Sequence, residues 1–145
     1  MMIENHYKLL PFRNQTRYLF ESKGPKGVVL KLIIFSQIEG NLWNIGFGDL
    51  KKGQLDSSVI TNNQDVRRVL NTVAKALYLF TENYPESVVR ITPLDGKRAK
   101  LYNLIFHRKH SEIIEQFNVF GWLGDERLAY NPDYFYDAFE IHRKS

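Results

Sequence analysis

Lys97, Arg98 and Lys100 stand directly behind Asp95-Gly96, and Arg67 and Arg68 follow closely on Asn62-Asn63-Gln64-Asp65. Both places read as the first turn of a helix. Unsatisfied N–H groups and the macrodipole make cations unfavourable there, by about 0.3–1 kcal/mol each when exposed. Something negative is expected to compensate: Asp95, the carboxylate of a partner, or a phosphate cradled by the free N–H groups. Each helix follows a strand, and the two strands are expected to run parallel. Both helix starts should then lie on one edge of the sheet. Arg67, Arg68, Lys97, Arg98 and Lys100 would form an anion-binding rim. The plainer alternative is that Asp95 and solvent suffice.

Other groups argue more weakly for chemistry. His107 and His110 have the i, i+3 spacing of a metal pair, but zinc needs three or four ligands and Arg108 and Lys109 repel a cation. A solvated basic face is expected, with no metal. Asp49 and Asp56 flank a strand turn, a placement too common to suggest acid–base work. Tyr130, Tyr134, Phe135, Tyr136 and Phe139 crowd together near Arg127 and Arg143. Aromatics interleaved with cations can stack bases. They serve equally to close a hairpin over a core or to form a dimer patch, and the structural role is placed first. The chain has no Gly-x-Ser-x-Gly, P-loop or dinucleotide fingerprint.

The elements that must position these residues follow from local pattern. Tyr7–Phe12 is a short segment stopped by Pro11, Arg17–Ser22 a strand, and Lys23–Gly27 a turn. Val28–Ile38 is β-branched and apolar, as in a strand buried on both faces. Leu42–Leu50 follows, with Gly46 and Gly48 leaving one face bare, then a probable strand Leu55–Thr61. Short connections make these an antiparallel meander. Asn62 or Asn63 is the expected N-cap of a helix. Its apolar face comprises Val66, Val69, Leu70, Val73, Leu77, Phe80 and Tyr84, with Ala74 and Ala76 beside them, and Pro85 ends it. Ser87–Ile91 is a strand, expected to lie parallel to the one preceding that helix. A second helix begins near Gly96 and has a polar gap at His107–His110, with a bend or restart at Ser111. Asn118–Leu123 and Tyr134–Arg143 are two closing strands.

A chain of 145 residues is expected to be one domain, spanning 1–145, and is long enough for a sizeable core. With no cysteine, disulfides, thiolate metal sites and a cysteine nucleophile are excluded. The first six residues lack the basic and apolar regions of a signal peptide. The longest apolar run, Leu32–Phe35, is too short to span a bilayer. A cytoplasmic location is expected. A net charge of +4 permits an acidic or nucleic-acid partner without requiring one.

Meander, helix, Ser87–Ile91, and a helix holding Leu101-Tyr102 together resemble the second half of the GNAT acyltransferase fold. The resemblance implies an α/β (α+β) fold: a mixed, mostly antiparallel sheet with two long helices, lacking that family's first two helices. It also implies an acyl-CoA cofactor and Tyr102 as general acid. However, Asp95 and Arg98 replace the Asn and Ala of the family's Asn-x-x-Ala-x-x-Leu-Tyr segment. Thr61–Arg68 has no glycine where the family's pyrophosphate loop has Gln/Arg-x-x-Gly-x-Gly/Ala, and Asp65 would repel a pyrophosphate there. Gly96 and Arg98 ahead of Leu101-Tyr102 also resemble a group of small uncharacterised bacterial proteins with a Gly-x-Thr-x-x-Arg-x-x-Leu-Tyr-like segment, which implies no activity. The expectation is a non-catalytic binding protein holding an acidic partner or anion, with no cofactor. The alternatives are a divergent acyltransferase using acetyl-CoA or another acyl-CoA, and a nucleic-acid-binding protein. A homo-oligomer joined through the C-terminal aromatic cluster is a further expectation, and a membrane partner is not expected.

Overall fold

The computed structural model describes residues 3–56 and 62–145, so most of the expected strand Leu55–Thr61 lies outside the described residues. It shows a mixed α+β protein with a mostly antiparallel sheet and two long helices. The elements are β1 (Leu10–Phe12), β2 (Arg17–Gly24), β3 (Gly27–Glu39), β4 (Leu42–Lys51), β5 (Gln54–Asp56), α1 (Val66–Asn83), β6 (Val88–Ile91), α2 (Gly96–Ile113), β7 (Phe117–Leu123), β8 (Glu126–Ala129) and β9 (Ala138–Arg143). The chain divides into two compact units: residues 2–36 with 45–84, and residues 37–44 with 85–145.

The first unit is the meander β1-β2-β3-β4-β5 with α1. Tyr18 pairs with Ile33, Phe20 with Lys31 and Ser22 with Val29. Alternation therefore turns Tyr18, Phe20, Ser22, Lys31, Ile33 and Phe35 to one face. Phe35 stacks on Phe80 of α1 with ring centroids 4.0 Å apart, which identifies the helix side. Strand β3 is not buried on both faces as its composition suggests. Val28 and Leu30 are exposed, while Lys31 is buried and ion-paired to Asp49 at 2.6 Å.

α1 buries Val69, Thr72, Ala76, Phe80 and Thr81. Val66, counted on its apolar face, is instead 44 % exposed. Two threonines enter the buried stripe because their hydroxyls bond back along the helix: Thr72 to the Arg68 carbonyl at 2.7 Å and Thr81 to that of Leu77 at 2.9 Å. With the polar atom satisfied internally, the rest of the side chain packs as a hydrophobe.

In the second unit the order is β4-β6-β9-β7-β8. The parallel pair is β4 with β6, Leu42–Asn44 against Val88–Arg90. The parallel partner of β6 is therefore the strand preceding β5. α2 runs unbroken through His107–His110, because a polar stretch on an exposed face does not interrupt the backbone ladder. Phe106 of α2 stacks on Phe139 of β9 at 4.2 Å. Strand β8 lies between the two expected closing strands, and β9 begins at Ala138 rather than Tyr134. The delay has a visible cause. Asn103 of α2 holds the backbone of Tyr136, its Oδ1 accepting from Tyr136 N–H at 2.8 Å and its Nδ2 donating to the Tyr136 carbonyl at 2.9 Å. Those two groups are consequently withdrawn from strand pairing, and the next N–H, that of Asp137, is the one that meets the Trp122 carbonyl, at 2.8 Å. Tyr136 itself fills the space over Gly121, where a Cβ would run into the ring.

Candidate functional site

Neither Asn62 nor Asn63 caps α1; the N-cap is Asp65, and its side chain makes no cap hydrogen bond. Asn63 is buried in the first unit and braces the turn after β2. Its Oδ1 accepts from Lys26 N–H at 2.7 Å and its Nδ2 donates to the Gly27 carbonyl at 2.9 Å. Asp65 Oδ2 instead accepts from Tyr7 Oη–H at 2.7 Å and Ser22 Oγ–H at 2.6 Å. Burial and the bond to Asp65 raise the Tyr7 phenol above its ordinary pKa, so it remains the donor. The first-turn N–H groups of α1 thus receive no side-chain cap, and the turn contains no acidic residue. Arg67 is exposed, and the Arg68 guanidinium lies over the Tyr7 ring, 4.1 Å from its centroid.

At α2 the arrangement differs. Asp95 is a true N-cap in extended conformation, accepting from Arg98 N–H at 2.8 Å. Its other oxygen meets the Arg98 guanidinium at 3.0 Å. Of the negative groups considered for this turn, Asp95 is the one the fold supplies, and it acts on Arg98. Lys97 and Lys100 are exposed. Tyr102 is partly buried; burial raises its phenol pKa, the nearby Arg98 charge opposes the shift, and Asp95 adds to it. The five cations are divided between the units, Arg67 and Arg68 in the first and Lys97, Arg98 and Lys100 in the second.

The remaining sequence candidates separate. His107 Nδ1 lies 3.2 Å from the Pro132 carbonyl, while His110 packs against Tyr130 at 4.9 Å. Among the described residues no group of three or more metal-binding side chains forms. Asp49 lies opposite Asp56 in register and pairs with Lys31, a partner hidden in the sequence by the apolar residues around it. Within the C-terminal aromatic run, Tyr136 and Phe139 are fully buried, whereas Tyr134 and Phe135 are 54 % and 55 % exposed.

Sequence reasoning missed a cluster on the sheet face of the second unit that turns away from α2. Phe139 points to the helix, so its neighbours Ala138 and Glu140 point to the opposite face. Register places Glu140 opposite both Arg90 and Phe120, and Ala138 opposite Trp122. Glu140 is 4 % exposed. Its Oε2 accepts from Trp122 Nε1–H at 2.8 Å and Arg127 Nε–H at 3.3 Å. Arg90 approaches Oε1 only to 3.8 Å, beyond hydrogen-bond reach. Its guanidinium lies 5.3 Å from the Trp122 ring centroid, and that of Arg127 lies 3.6 Å from the Phe120 centroid. Alternation in Ala138-Phe139-Glu140 was the available signal, but it becomes informative only once the strand bounds are known.

No helix among the described residues is long and apolar enough to cross a membrane. No curated protein and no solved structure matches the chain. The model of a family of unknown function, DUF6934, matches residues 3–144, and the chain belongs to that family.

Proposed function

We propose that this chain is a non-catalytic binding protein that holds an acidic partner or anion through cations at its helix starts. The observation carrying the proposal is the uncapped first turn of α1. Asp65, the residue placed to cap it, directs its carboxylate to Tyr7 and Ser22, leaving the turn with Arg67 and Arg68 and no acidic side chain. With the Asp65 carboxylate turned to Tyr7 and Ser22, the uncapped turn beside two arginines suits a single carboxylate or phosphate oxygen. Lys97 and Lys100 extend the proposal to α2, where the Asp95 cap leaves less for a ligand to satisfy. The parallel β4–β6 pair followed by a helix and antiparallel strands supports a GNAT-like topology. The protonated Tyr102 would suit a general acid, but no glycine-bearing pyrophosphate loop accompanies it.

The test is a fluorescence-anisotropy titration of labelled oligo-glutamate, with single-stranded DNA and acetyl-CoA as comparators. Arg67→Ala with Arg68→Ala is expected to weaken oligo-glutamate binding by about tenfold, equivalent to about 1.4 kcal/mol. Lys97→Ala with Lys100→Ala should have a smaller effect. Unchanged affinity in the arginine variant would remove α1 from the proposal. Saturable acetyl-CoA binding would move the chain to the acyltransferase reading. DNA binding with a steep salt dependence would move it to the nucleic-acid reading.

A further inference from the structure

The sheet face of the second unit that turns away from α2 holds a notch of about 340 Å³ lined by Arg90, Thr92, Trp122, Gly124, Asp137 and Ala138. That volume is within the range of small-molecule sites. Its existence depends on one small residue: Ala138 stands opposite Trp122, so the indole has no bulky cross-strand neighbour on β9. At one end is Arg90, whose Nε is buried without a hydrogen-bond partner among the described residues. The nearest acid holds it only loosely. Glu140 already takes Trp122 Nε1–H and Arg127 Nε–H on Oε2, and its contact with Arg90 is 3.8 Å. Two guanidinium groups thus share one buried carboxylate, and with Asp137 counted the charges balance, so what Arg90 lacks is a close partner. At the other end Asp137 accepts the Gly124 N–H at 2.7 Å through Oδ2, and its second oxygen remains able to accept another donor.

We infer that this notch is a binding site for a small planar carboxylate, with its charge on Arg90, its ring against Trp122 and a hydrogen-bond donor directed to Asp137. A carboxylate matches the planar fork of arginine and supplies the close partner that Arg90 lacks. The indole offers a flat apolar wall. The site is separate from the helix-start reading and stands or falls without it.

The probe is 4-hydroxybenzoate, titrated into the full chain carrying Trp43→Phe, so that Trp122 is the sole tryptophan. Saturable fluorescence quenching and a shift of the single indole N–H resonance are expected, because that N–H is bonded to Glu140 beside the site. Arg90→Met and, separately, Ala138→Leu should each weaken binding by at least about tenfold. Each variant is to be shown folded by its thermal transition, and the two act on opposite requirements, charge and space. The neutral amide, 4-hydroxybenzamide, should bind at least about tenfold more weakly than the acid. Absence of saturable change, equal binding of acid and amide, or normal binding by Ala138→Leu would each overturn the inference.

Discussion

Replacing Asn103 by alanine tests how the second unit holds the chain ahead of β9. The residue is 9 % exposed, and its amide bonds both polar atoms of the Tyr136 peptide, with a further bond from Nδ2 to the Ala99 carbonyl at 2.8 Å. Truncation removes both links and leaves a donor and an acceptor of a fully buried residue without a partner. Each net hydrogen bond contributes about 0.5–1.5 kcal/mol, and each buried orphan costs about 1–3 kcal/mol. Water can reach part of this loop, since Tyr134 and Phe135 beside it are more than half exposed. The expected loss is therefore about 2–4 kcal/mol. A chain of this size loses about 2–4 °C of Tm per kcal/mol, so Tm should fall by roughly 5–15 °C. Urea denaturation followed by circular dichroism gives the free energy directly. Asn103→Asp keeps the acceptor for Tyr136 N–H but turns a carboxylate toward two carbonyls. It should be no more stable than the alanine variant near neutral pH, and should recover on acidification as an O–H donor returns. A loss below about 0.5 kcal/mol for Asn103→Ala would refute this account.

Gly121→Ala should destabilise by about 1–3 kcal/mol or more, because the added Cβ meets the Tyr136 ring and a closed core has no slack; urea midpoints decide it. Asp49→Asn removes the carboxylate from a pair in which both side chains are 1 % exposed, and should cost about 3–5 kcal/mol. Adding Lys31→Met should return part of that loss, and a double variant no better than the single one would contradict the reasoning. Burial pushes the Tyr18 phenol up to about 12 from an ordinary value of 10.0. Its folded state therefore holds the proton more tightly, a contribution fully present below pH 10 and lost as pH rises toward 12. Over that window Tyr18 alone should remove up to about 3 kcal/mol, and Tyr18→Phe should flatten the alkaline arm of the stability curve.

Periodicity and turn chemistry made much of the fold legible. The helix over Val66–Asn83, the strand–helix succession after Pro85 and the closing strands were all readable, since each follows from local pattern and breakers. Polar residues behaving as core were not readable. Thr72 and Thr81 conceal their hydroxyls in the helix, and Lys31 conceals its charge against an acid 18 positions away. Strand β8, Glu-Arg-Leu-Ala, has little intrinsic preference for its state and exists through pairing with β7. The cationic helix starts were legible as an anomaly of type and position. How each is treated was not, because Asp65 is drawn away by Tyr7, a residue 58 positions distant. The notch at Ala138 depends on a register between strands far apart in sequence, which no local window contains.

Asp65 has two incompatible occupations. While Tyr7 and Ser22 hold it, the first turn of α1 has no side-chain cap; released, it could swing onto those N–H groups. A residue 58 positions earlier in the chain thereby holds the capping carboxylate away from the helix start. A modification of the Tyr7 hydroxyl, or detachment of its segment, would tune that start without altering any of its own residues.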